Sequence, residues 1–272
     1  MQFFDYVEKD SVLHRINPSL KLLLIMALMF TVTFVYDPYT TFGFALLGML
    51  QLTVLARLPV LKIFKMMLPL TLMLAAITIT SIIAFDVSLE QDPVVVLTIG
   101  NFLISWASIM FGLTIGLRIF CFLIYSIMFV ATTDPTDFIL SLILQLRLSP
   151  KIGFGTLAGY RFVPLLGAEY QNIHQAHMIR GSEQRQGPLQ RIKRLKRYSV
   201  PLLVGAIRKA QRVAIAMDSK GFLAYRDRTY LRDVRIKRSD IFYLVIILLT
   251  YLLLLAILTH YGITLWGYRS LR

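Results

Sequence analysis

Residues 104–131 read ISWASIMFGLTIGLRIFCFLIYSIMFVA, with Arg118 as the only charge. A helix needs about 20 predominantly apolar residues to cross the hydrocarbon core of a bilayer, so this run is long enough to span one. Three further runs of similar character precede it, at roughly Leu20–Tyr36, Tyr39–Leu55 and Met66–Phe85, and a fifth follows at about Ile241–Thr259. Composition agrees: 57% of the chain is hydrophobic and 16% charged, and the apolar excess over a soluble domain needs lipid to face. The single cysteine, Cys121, lies inside an apolar run and cannot form an internal disulfide. No cleavable signal peptide is expected, because Asp5, Glu8, Asp10, His14 and Arg15 precede the first apolar run.

The net charge of +14 would suit a polyanion partner, but its placement points to the membrane. Arg57, Lys62 and Lys65 lie between the second and third apolar runs, whereas Asp86, Glu90 and Asp92 lie between the third and fourth. Positive loops stay inside, which puts the first of these connections and the N-terminus in the cytoplasm and Asp37-Pro38 in an outer turn. The stretch Val94–Leu103 is expected to be a surface or re-entrant piece, since adding it to the fourth run would make that helix too long.

From Asp134 to Asp240 the chain is rich in Lys and Arg and has no apolar window of spanning length. Thr133-Asp134-Pro135 is a helix start, a capping side chain followed by proline where its missing N–H costs nothing. That helix should stop before Pro150. A longer one, interrupted or bent at Pro164, should run to Gly181. After an expected loop at Ser182–Val200, another helix should open near Pro201 and end at Gly221. Its apolar residues Leu202, Leu203, Ala206, Ala210, Val213, Ala214 and Met217 recur at helical spacing, with Arg208, Lys209, Gln211 and Arg212 between them. The fold class expected is all-α, a polytopic membrane protein of about five transmembrane helices. Residues 1–133 hold four of them, 134–240 form a cytoplasmic helical domain inserted before the last, and 241–272 form the last helix and tail.

The chain is poor in convergent catalytic groups. Glu169, His174 and His177 share a helical stretch, and a metal site there is the enzymatic alternative, although no metal or cofactor is expected. Gly153, Gly155 and Gly159 lack both the spacing of a dinucleotide loop and the lysine of a phosphate loop. Gly112 and Gly116, four apart in the fourth membrane run, permit close helix contact. Arg118 is costly at that depth and is expected to pair with backbone carbonyls or an acid inside the bundle, the alternative being that it snorkels to the interface from an awkward distance. The basic run Arg191, Lys193, Arg194, Lys196, Arg197 fits anionic lipid headgroups better than nucleic acid, since no aromatics interleave it to stack bases. Two segments end alike, Ile179-Arg180-Gly181 and Ser219-Lys220-Gly221: glycine terminates a helix and the cation complements its negative end.

Taken together these residues resemble the transmembrane T component of energy-coupling factor transporters, the EcfT/CbiQ/BioN family, over nearly the whole chain. Asn17-Pro18-x-x-Lys21-Leu22 is similar to the family's N-terminal signature. Thr132-Thr133-Asp134-Pro135 is similar to its exit from the fourth helix, Arg161-Phe162-x-Pro164-Leu165 to its R-F-x-P-L stretch, and Arg228-Thr229 to its R-T pair. Its two Ala-Arg-Gly-type motifs correspond to Ile179-Arg180-Gly181 and Ser219-Lys220-Gly221; both depart from the pattern at the alanine position, and the second replaces a bidentate fork by a single mobile charge.

The resemblance implies a non-catalytic subunit of the prokaryotic plasma membrane. Its two coupling helices would meet two ATP-binding ATPase subunits through Arg180 and Lys220 and relay movement to a membrane S component that captures a vitamin or metal ion. The nearest alternative is the permease of another ABC importer, whose EAA-type cytoplasmic loop has no good counterpart here.

Overall fold

The apolar helices begin where the sequence supplies a cap. In the computed structural model, which describes residues 11–85, 95–99, 102–179, 188–222, 230–232 and 234–262 (backbone alone at 99, 102 and 188–195), a short turn of helix α1 (Val12–Arg15) leads to α2 (Pro18–Thr33). The Asn17 side chain accepts from the Ser19 N–H, and Pro18 occupies the first helical position. The same device opens α3 (Pro38–Leu50), where Asp37 Oδ2 accepts from the Thr40 N–H at 2.6 Å. The helix continues through a π turn, Gln51–Leu55, and α4 (Val60–Ile83) follows with Pro69 inside it.

The apolar stretch before the fourth long run forms a hairpin: β1 (Val95–Ile99) pairs antiparallel with β2 (Phe102–Ser105). Ile104 and Ser105 therefore belong to a strand, and α5 (Trp106–Thr132) begins later than the hydrophobic run, capped by Ser105 and Ser108 reciprocally. Next come α6 (Pro135–Gln145), α7 (Pro150–Ile179), α8 (Pro188–Ser219) and α9 (Arg238–His260). Asp134 Oδ1 accepts from the N–H groups of Thr136 and Asp137, at 2.7 and 3.1 Å, so α6 starts where its sequence indicates.

Two expectations are corrected. The helix thought to open near Pro201 begins at Pro188, so the expected loop Ser182–Val200 is helical from 188 onward, and Pro201 lies inside α8. The basic run hid the helical period there, and proline costs one ladder bond without ending the helix. Helix α7 is continuous through Pro164, which rules out the interruption among the two alternatives expected there.

Among the described residues four helical stretches are long and apolar enough to cross a membrane: Pro38–Leu55, α4, α5 and α9. With 16 residues, α2 rises about 24 Å, short of the roughly 30 Å hydrocarbon core. The chain is an all-α polytopic membrane protein, with the hairpin as the sheet among the described residues.

Compactness divides the chain into two units, Met1–Ser141 with Val234–Arg272, and Leu142–Asp233. The first buries Leu24, Leu28, Phe44, Leu52, Ile124 and Met128 around two tyrosines. Tyr125 Oη donates to the Phe44 carbonyl and Tyr251 Oη to Gln51 Oε1, each at 3.3 Å. Its outer surface is apolar: Leu23, Met26, Phe30 and Leu72 are exposed, Leu72 at 82%. Water would penalise such a surface and lipid would not.

Candidate functional site

The second unit carries an apolar groove between α7 and α8, of about 310 Å³. One wall is Gly155, Ala158, Gly159 and Phe162; the other is Ala206, Lys209, Ala210, Val213, Ala214 and Met217. The second wall is the apolar face that helical spacing marks in the sequence. Small side chains keep it open: a Cβ added at Gly155 or Gly159 would meet nothing within 4 Å. On the same two helices Val163, Leu165, Leu203 and Ile207 are exposed. An apolar concavity on helices that also expose aliphatic side chains is the form a docking surface takes, whereas an active site needs converging polar groups.

The one lysine of the groove is held at its edge. Lys209 Nζ lies 2.8 Å from Glu169 Oε2 and 5.6 Å from the centroid of the Phe162 ring. Glu169 is thereby directed to α8, and His174 Nδ1 lies 3.3 Å from Tyr198 Oη. The His177 ring lies 5.1 Å from that of Tyr198, so all three residues of the alternative metal site are engaged with α8, and no group of three potential ligands forms among the described residues.

At the far end of α8, Gly221 has φ +70°, the left-handed conformation that glycine adopts without strain. Its N–H bonds to the Asp218 carbonyl and that of Phe222 to the Met217 carbonyl, both at 2.9 Å, closing the helix. Phe222 then packs edge-on against Phe154 of α7, ring centroids 5.4 Å apart. This fold-back leaves Lys220 exposed at the helix tip. Arg180, Gly181 and the pair Arg228-Thr229 lie outside the described residues. Of the basic run, Lys196 and Arg197 are exposed, and the side chains of Arg191, Lys193 and Arg194 also lie outside the description.

In the first unit, Gly112 and Gly116 face α4 without room for a side chain: a Cβ would collide with Ile82 at the former and with Thr78 Oγ1 at the latter. Arg118 Nη2 donates to the Val35 carbonyl at 2.7 Å, and its guanidinium lies 5.1 Å from the centroid of the Tyr36 ring. The sequence motifs at Asn17–Lys21 and Thr132–Pro135 meet: Lys21 Nζ donates to the Thr132 carbonyl at 2.9 Å, to Thr132 Oγ1 at 3.0 Å and to Thr133 Oγ1 at 3.2 Å. Sequence reading marked both motifs but not their pairing, because nothing local relates positions so far apart.

Residues 9–231 match the family model described as CbiQ, cobalt transport protein. The energy-coupling factor transporter transmembrane protein EcfT of Limosilactobacillus fermentum is 31% identical over 88% of this chain and 90% of its own. The EcfT of Acidaminococcus fermentans is 28% identical over 96% of both. A Bifidobacterium longum protein named as an ABC transporter ATP-binding protein is 28% identical over 86% of this chain, a match that covers 30% of that longer protein.

Proposed function

The chain belongs to the CbiQ cobalt transport protein family, and on that premise we propose that it is the membrane coupling subunit of an energy-coupling factor importer. It resides in the prokaryotic plasma membrane with its inserted unit on the cytoplasmic side, and itself catalyses no reaction. Two ATP-binding subunits engage the helix tips at Arg180-Gly181 and Lys220-Gly221. Their ATP-driven movement passes through α7 and α8 to a membrane S component that binds a vitamin or metal ion. The basic run at Arg191–Arg197 rests on anionic headgroups.

The observation that carries this reading is the groove between α7 and α8, an apolar docking surface on helices whose neighbouring tip, at Lys220, is exposed and cationic. It also finds support in the Bifidobacterium longum relative, whose name refers to ATP binding and whose chain contains a region similar to this one.

Replacing Arg180 and Lys220 by glutamate reverses the charge at both tips. In the reconstituted complex, Arg180→Glu/Lys220→Glu should abolish ATP-dependent uptake while leaving the membrane unit folded. Full uptake by the double variant would overturn the assignment.

A further inference from the structure

The chain passes between its two compact units twice, after Ser141 and before Val234. Both points are tied, within the membrane unit, to one short stretch at the start of α2. Ser19 Oγ donates to Ser141 Oγ at 2.7 Å, and Ser141 donates onward to the Phe138 carbonyl of its own helix, also at 2.7 Å. Asn17 Nδ2 donates to the Val234 carbonyl at 3.0 Å, while its Oδ1 caps α2. Two residues beyond Ser19, Lys21 holds the junction of α5 and α6 through its three bonds to Thr132 and Thr133.

Helix formation does not require this arrangement. An aspartate at position 17 would cap α2 equally well but has no N–H₂ to offer Val234. An apolar residue at 21 would avoid burying an amino group; Lys21 is 1% exposed, and its Nζ is satisfied by neutral oxygens alone. Asn17 Nδ2, Ser19 Oγ and Lys21 Nζ each bond to a position more than a hundred residues away.

We infer that Asn17, Ser19 and Lys21 are positioning residues for energy coupling, a clasp that fixes both stems of the inserted unit to the membrane helices. A push delivered to that unit then moves the stems together with α2 and α5, instead of being lost as slip of α6 or of the segment entering α9. This rests on the coupling role proposed above.

The test uses the full complex, copurified with its ATP-binding subunits and membrane partner and reconstituted in vesicles. ATP hydrolysis is measured beside accumulation of radiolabelled cobalt(II) and of a mixture of radiolabelled B vitamins. Asn17→Asp and Ser19→Ala should each lower the amount accumulated per ATP hydrolysed, by roughly tenfold, the size expected for loss of one well-placed buried polar contact. Complex yield and hydrolysis should stay near wild type.

Oxidising the pair Ser19→Cys/Ser141→Cys replaces the hydrogen bond by a covalent one and should restore accumulation, whereas the reduced pair should behave as Ser19→Ala. An unchanged ratio in the variants would overturn the inference. So would a parallel loss of yield, hydrolysis and accumulation, which marks a folding element, or an oxidised pair that hydrolyses ATP without accumulation, which marks a junction that must open. A chain that copurifies with no ATP-binding subunit would instead remove the importer reading itself.

Discussion

Arg118 Nη2 donates to the carbonyl of Val35, 2.7 Å away, and so places a positive charge just past the C-terminal end of α2. That end carries the negative pole of the helix, and the adjoining Tyr36 ring adds a polarisable face. Arg118→Met should therefore destabilise the solubilised protein by about 1–3 kcal/mol, because a carbonyl loses a charged donor. Arg118→Lys keeps the charge on a shorter stem and should fall between it and wild type. Thermal unfolding in detergent checks the order; equal stability of all three would mean that the arginine merely reaches for the interface.

The contact of α4 with α5 makes a sharper prediction. A methyl group at Gly116 collides with Thr78 Oγ1, and one at Gly112 with the Ile82 side chain. Gly116→Ala should cost about 1–3 kcal/mol, the usual range for overpacking. Adding Thr78→Ala removes the obstructing oxygen and should recover part of that loss, whereas Gly112→Ala should gain nothing from it. Melting temperatures of the single and double variants decide the point.

At Gly159 stability and function are expected to separate. The position is helical and open, so Gly159→Ala should stabilise the inserted unit by roughly 0.5–1 kcal/mol through backbone entropy. Gly159→Trp fills the groove from the same wall and should leave folding intact while preventing copurification of the membrane S component. Normal copurification with the bulky side chain would locate the docking surface elsewhere.

The Glu169 to Lys209 pair is partly exposed, at 36% and 32% of the side chains, and deserves a small expectation. Glu169→Gln should change stability by less than about 1 kcal/mol.

Much of this architecture is legible in the chain. Apolar runs disclose spanning helices because lipid imposes both their length and their character. Asp134-Pro135 announces a helix start, since capping depends on two adjacent residues alone, and Asp37-Pro38, expected as an outer turn, caps α3 by the same device. Spacing also revealed the face from Ala206 to Met217 that became one wall of the groove. The other wall, Gly155 to Phe162, escaped notice as a surface because its glycines and alanine carry little hydrophobic signal; they matter through the space they leave. The β hairpin was hidden in an apolar run that adjoins a helix of the same composition. Long-range polar pairs such as Lys21 with Thr132 were invisible for a different reason: a hydrogen bond across the fold leaves no periodic trace. Attention to a lysine one turn inside an apolar helix is the signal that would have raised the question.

The central claim is that the tip of α8 meets an ATP-binding subunit. A photo-crosslinking side chain placed at position 220 of the complex isolated from its native membrane tests it most directly. The predicted result is a crosslink to an ATP-binding subunit whose yield differs between ATP and ADP. Labelling of the same position from outside intact cells, with no crosslink to an ATP-binding protein, would contradict the account.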